Sequence, residues 1–167
     1  MLFRLIAAVL FTLAGACVGV MLSQRLRQRQ DICMQIGVLL RDAAVCIRYV
    51  GMNVYDMVRR FRSSPELAGL TFLEYLPETF SEGENFREMW RQSLMKQELP
   101  AEEREILAEL GEMLGRTDIE GQLAELSVLE ERVRCLENER RTVCSQKGRM
   151  YRSVGVLFGV MVGILVI

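Results

Sequence analysis

Residues 32–61 read ICMQIGVLLRDAAVCIRYVGMNVYDMVRRF, and the spacing of their apolar side chains decides the fold class. Ile32, Ile36, Leu39, Leu40, Ala43, Ile47, Val50, Val54, Met57, Val58 and Phe61 recur mostly at steps of three and four. That period places them along one buried face of a helix, with Arg41, Asp42, Arg48, Asn53, Asp56 and Arg59 off the stripe. No helix breaker lies between Leu22 and Ile32, so the sequence predicts that a helix entering from the N-terminal side runs on through this one. Strand-like alternation and internal repeats are absent from the chain, and the expected class is all-α.

Outward from this segment, the punctuation marks further helices. Ser64 and Pro65 have the residue types of a helix cap and first turn. Leu70 to Phe80, interrupted by Pro77, reads as a short helix or two turns. Ser81 and Glu84 have capping-box spacing ahead of a helix carrying Phe86, Met89, Trp90 and Leu94 inward, with Trp90 assigned to the core. Pro100 opens a helix over Ala101 to Leu114, whose Ile106, Leu107, Leu110, Met113 and Leu114 share one side. Gly115 ends it and Asp118 is placed to cap the next. That last helix shows Ile119, Leu123, Leu126, Leu129, Val133 and Leu136 between charges, a long amphipathic rod. The expected architecture is an antiparallel helical bundle of about 130 residues, long enough to bury its own core.

The two ends are apolar. Leu5 to Leu22 is an 18-residue run without a charge, and Val154 to Ile167 is a 14-residue run. The 131 residues between them carry 20 of the 21 basic residues and all 22 acidic ones. A helix rises about 1.5 Å per residue against a hydrocarbon core of roughly 30 Å, so the first run spans, extended by Leu2 and Phe3. The second spans if it is taken back to Met150, with Arg152 snorkelling to the interface. The expected organisation is a transmembrane helix over 1–24, a helical-bundle domain over 25–149 and a C-terminal transmembrane helix over 150–167. Arg25, Arg27 and Arg29 follow the first run, and Arg140, Arg141, Lys147, Arg149 and Arg152 precede the second. The positive-inside rule therefore assigns the middle to the cytoplasm and both termini to the far side. A rival reading takes Ala14-Gly15-Ala16-Cys17 as a lipoprotein cleavage box, but apolar residues follow Cys17 where a lipid anchor gives way to polar sequence. Gly15 and Gly19, and the row Gly155, Gly159 and Gly163, have the four-residue spacing that lets membrane helices approach closely. The row marks helix packing, within one chain or between copies in a homo-oligomer.

Composition narrows the chemistry. The chain has no histidine, which removes the commonest general base and the commonest metal ligand. Cys17, Cys33, Cys46, Cys135 and Cys144 are odd in number and form no C-x-x-C pair, so reduced thiols are expected rather than a zinc site or disulfide framework. Neither a P-loop nor G-x-G-x-x-G occurs, and the middle carries 20 basic against 22 acidic residues. No cofactor, no nucleic-acid partner and no enzymatic activity are expected. The basic cluster before the second run suits contact with membrane lipid.

Glu105 to Gln122, with its G-x-x-L-G-x-x-D run Gly111, Leu114, Gly115 and Asp118 followed by Gln122, resembles the stage III sporulation protein AB family. The glycine-bearing end from Gly155 through Gly159 and Gly163 is similar to that family's terminal span, and the resemblance covers essentially the whole chain. The resemblance implies a non-enzymatic platform component of the channel joining mother cell and forespore in endospore formation. It also implies a place in the mother cell's engulfing membrane. Its domain would be similar to those of type II secretion and type IV pilus platform proteins. Its partners would be a cytoplasmic secretion-type ATPase and other membrane proteins of the same complex. Secretion platforms hold two such domains, whereas this chain has room for one. Partner contact is assigned to Arg116, Asp118 and Gln122 at the turn, beside a purely structural reading in which Gly115 ends one helix and Asp118 starts the next. The alternative function is a stand-alone membrane-tethered helical adaptor.

Overall fold

Among the described residues five α-helices follow one another: α1 (Leu2–Val45), α2 (Val54–Ser63), α3 (Phe86–Leu94), α4 (Ala101–Met113) and α5 (Ile119–Val166). The structure is a computed structural model that describes the backbone of residues 2–50, 52–80, 83, 85–115 and 118–166. Side chains are described for these except 2–12, 16, 49–50, 148–149, 151–152, 155–156, 158–160 and 162–166. The chain groups into two compact units, Asp31–Glu137 and the pair Met1–Gln30 with Asn138–Ile167.

The core of the Asp31–Glu137 unit is the stripe read from sequence. Ile36, Leu39, Leu40, Ala43, Met57, Val58 and Phe61 are all buried, together with Ile106, Leu107, Leu110 and Met113 of α4 and Leu126, Leu129 and Val133 of α5. The stripe is not one helix, however. Cys46–Val50 forms a π-helical turn after α1, and α2 begins only at Val54. Asn53 sits in an extended conformation and its Oδ1 accepts from the Asp56 backbone N–H at 2.9 Å, a side-chain cap that starts a new helix. A π turn adds about one residue per turn, so it shifts the register while keeping apolar residues on the inner face. The break is therefore silent in the hydrophobic pattern.

Between α2 and α3 the chain is irregular, with 3-10 turns at Pro65–Leu67 and Thr71–Tyr75. Leu67, Leu70, Phe72, Leu73 and Leu76 are buried, so the backbone that carries them also leaves water. Buried amides and carbonyls need partners, and two distant glutamines supply them. The Gln35 side chain of α1 accepts from Gly69 N–H at 2.8 Å, while Gln97 accepts from Phe72 N–H at 3.0 Å and donates to the Gly69 carbonyl at 2.7 Å. Helix α3 starts at Phe86 on an Asn85 cap, whose Oδ1 accepts from Arg87 N–H at 3.1 Å. This corrects the start expected after Ser81, and Ser81 and Glu84 lie outside the described residues. Pro100 takes the cap position of α4 as expected.

In the other unit the polarity of burial is reversed. Gly19 and Ser23 are buried, whereas Leu13, Val18, Val20, Met21, Leu22, Met150, Val154, Leu157 and Met161 are exposed. Two small residues, Gly19 and Ser23, face inward, while Ala14 and Cys17 are exposed together with the large apolar side chains. Among the described residues no helix is long and apolar enough to cross a membrane. The side chains of 5–12, within the first apolar run, and most of those of 154–167 lie outside the description.

Replacing Gln97 with Leu leaves the Phe72 N–H and Gly69 carbonyl without their partners, and the expected loss is about 2 kcal/mol of unfolding free energy in a denaturant titration. Cys46 gives a second outcome. Burial pushes its thiol above the ordinary range, with the Arg60 charge opposing and Asp42 adding to the rise. A thiol raised on folding stabilises fully below its unfolded pKa of about 8.5, and that contribution is lost as pH climbs through the folded value. Wild type is therefore expected to lose stability relative to a Cys46→Val variant as pH rises above about 8.5, measured by thermal unfolding at each pH.

Candidate functional site at the Gly111–Asp118 turn

Helix α4 carries Gly111 one turn beyond Leu107, and the Trp90 indole of α3 lies against both. The Trp90 Nε1–H donates to the Leu107 carbonyl at 2.7 Å, although helical geometry already pairs that carbonyl with the Gly111 N–H. A helical Cβ tilts toward the N-terminus and crowds the carbonyl four residues before it. Glycine at 111 removes the obstacle, because a Cβ there would land on the Trp90 ring. Trp90 is 1 % exposed and packs edge-on to Phe72 at 5.3 Å between ring centroids, with Phe86 tilted at 5.8 Å. The assignment of Trp90 to the core holds.

Three residues on, Leu114 is buried and caps α4 with its N–H donating to the Leu110 carbonyl at 3.1 Å. Gly115 has φ +81, the left-handed conformation that ends a helix and that side chains resist. A Cβ there would also meet Val54 Cγ2 at 3.1 Å. Arg116 and Thr117 lie outside the described residues. Asp118 accepts the Gln122 N–H at its backbone carbonyl, 3.1 Å, and its carboxylate lies over Gly121 in the first turn of α5. A carboxylate there also suits the positive end of the helix dipole.

Of the turn residues assigned to partner contact, the two that are described, Asp118 and Gln122, have different settings. Asp118 is exposed, as are its neighbours Ile119 and Glu120. Gln122 is only 5 % exposed and, like fully buried Glu103, is not without a partner. Gln122 therefore stands in the interior of the unit. Gly155, Gly159 and Gly163 all fall within α5, and their surroundings lie outside the description. Among the described residues no three His, Cys, Asp or Glu side chains gather to hold a metal ion.

Ion pairs brace the helices on either side of the turn. Arg132 of α5 reaches both carboxylate oxygens of Glu109 at 2.6 and 2.7 Å, and this bond raises the guanidinium pKa above its ordinary value. Arg91 of α3 holds Glu112 at 2.8 Å. Such exposed pairs contribute little stability, typically below about 1 kcal/mol, but they set the positions of the carboxylates.

Sequence reasoning found the G-x-x-L-G-x-x-D run but not the reason for its first glycine. The presence of a single tryptophan 21 residues upstream was the available signal.

These features define an all-helical protein built around a helical hairpin keyed to one indole. The family model for stage III sporulation protein AB matches residues 4–167, and the chain belongs to that family. No curated protein and no solved structure matches it.

Glycine-to-alanine changes stabilise ordinary helix interiors by about 1 kcal/mol. At Gly111 the sign is expected to invert, with a loss of roughly 1–3 kcal/mol as the ring is displaced. In a Trp90→Leu background the penalty of Gly111→Ala is expected to shrink or reverse, a coupling read from a double-mutant cycle of unfolding free energies.

Proposed function

We propose that this sporulation-family protein is a non-enzymatic platform component of the mother cell–forespore channel complex. It is held by membrane helices at both ends, with its central bundle in the mother-cell cytoplasm and both termini on the far side. The observation that carries the membrane part is the reversed burial of the terminal unit. Gly19 and Ser23 face inward, while Leu13, Val18, Met21, Val154, Leu157 and Met161 face outward. Water drives large apolar side chains inside, whereas lipid removes that drive and leaves close packing of small residues to hold helices together. The burial pattern fits the second solvent. The basic flanks at Arg25–Arg29 and Arg140–Arg152 support the cytoplasmic assignment.

The platform part rests on family membership and on the likeness of the family's domain to secretion platforms. A secretion-type ATPase is the proposed cytoplasmic partner, other membrane proteins of the complex are its lateral neighbours, and self-association through the glycine row supplies further copies. A helical scaffold without histidine, braced by ion pairs and a buried indole, suits transmission of contact rather than catalysis.

Two measurements test this reading. Exposed Cys135 and half-buried Cys144 are expected to resist an impermeant maleimide added to intact cells and to react after permeabilisation. Buried Cys33 and Cys46 serve as internal controls. Labelling of Cys135 in intact cells would overturn the orientation. In sporulating cells, crosslinking from the exposed turn at Ile119 is expected to capture the ATPase. Its absence from crosslinks while the complex assembles would sink the platform–ATPase assignment.

A further inference from the structure

Acidic charge is segregated in this chain. Residues 101–131 hold ten acidic against two basic side chains, a net charge of −8, while the remainder holds 12 acidic and 19 basic, a net +7. Helices α4 and α5 bring four of these ten carboxylates to one open cleft of about 540 Å³. Its floor is apolar, formed by Ala108, Met113, Val128 and Leu129. Its rim carries Glu105, Glu109, Glu112 and Glu125 against the one basic lining residue, Arg91.

Val128 is the anomaly. Its neighbours Leu126, Leu129 and Val133 are buried, but Val128 is 60 % exposed in the middle of a carboxylate-bordered strip. Water surrounds this apolar side chain, a cost that an apolar group of a ligand would relieve, and the four rim carboxylates still outnumber the two arginines, Arg91 and Arg132, that pair with them. The rim is also fixed in advance. Arg91 holds Glu112 and Arg132 holds Glu109, so those carboxylates need little reordering when a ligand arrives. From Glu105 to Glu112 the rim runs roughly 10 Å, two turns of a helix.

We infer that the α4–α5 cleft docks a basic amphipathic helix of a partner protein. Two or three apolar side chains of that helix, spaced at three and four, cover Val128 and the half-buried Ala108, and lysines or arginines on its flanks meet Glu105 and Glu125. The −8 segment attracts such a helix from a distance, and the apolar floor supplies the short-range contact. Anionic lipid is repelled by the same field. The inference does not depend on the partner being an ATPase.

The test uses the full chain in phosphatidylcholine nanodiscs and an 18-residue leucine–lysine peptide with its leucines on one helical face. A scrambled peptide of equal composition and empty nanodiscs are the references. The helical peptide is expected to bind at least tenfold more tightly than the scrambled one. A Glu105→Lys/Glu125→Lys variant is expected to weaken it tenfold or more and Val128→Ser about fivefold, with circular dichroism unchanged in both. Equal binding of the two peptides, or undiminished binding to either variant, would overturn the docking site. Particle mass is measured in parallel, and a fall in oligomer size on Val128→Ser would assign the cleft to a second copy and overturn it equally.

Discussion

The indole of Trp90 seated on the backbone of α4 is the contact on which the central unit depends. One hydrogen bond of 2.7 Å ties α3 to the Leu107 carbonyl, and one missing Cβ at Gly111 makes the approach close enough. The ring then stands against Phe72 of the irregular segment and Phe86 at the start of its own helix, so three parts of the chain meet on it. Phe86 in turn meets Tyr55 of α2, edge-on at 5.8 Å. Truncating a buried aromatic of this kind typically costs about 3–5 kcal/mol, a large share of the roughly 5–15 kcal/mol that holds a domain folded.

From that contact the turn follows. α4 is held by its packing on α3, Gly115 reverses the chain in the left-handed conformation, and Asp118 starts α5. The acidic surface of α4 and α5 is thus displayed on helices whose positions are set by buried apolar contacts. Ion pairs at Glu109 and Glu112 then trim the directions of individual carboxylates. A surface meant for another molecule gains from such rigidity, since less freedom is lost when the contact forms.

Much of this fold was legible because period and punctuation act locally. The stripe from Ile36 to Phe61, Pro100 before α4, Gly115 after it and the burial of Trp90 follow from side-chain chemistry alone. The break before Asn53 was hidden because the π turn at Cys46–Val50 keeps Val54, Met57 and Val58 on the inner face. Only the Asn53–Asp56 spacing marks it. At the candidate site, the glycines and Asp118 were visible as a turn, but Gly111 answers to a side chain 21 positions away, which no local rule reveals. Glu103 and Gln122 are polar and yet buried, and residue type alone argues for the opposite.

The glutamine clip on Gly69 and Phe72 has a consequence for the order of folding. The segment from Pro65 to Leu76 draws its backbone partners from residues 34 and 28 positions distant in sequence. It has little regular structure with which to nucleate itself, so closing those loops must precede any gain from them. α1 and the α3–α4 connection are therefore expected to come together before the buried leucines of the segment settle. Contacts that form late govern unfolding more than folding, so substitutions in this segment are expected to shorten the lifetime of the native unit more than they slow its formation.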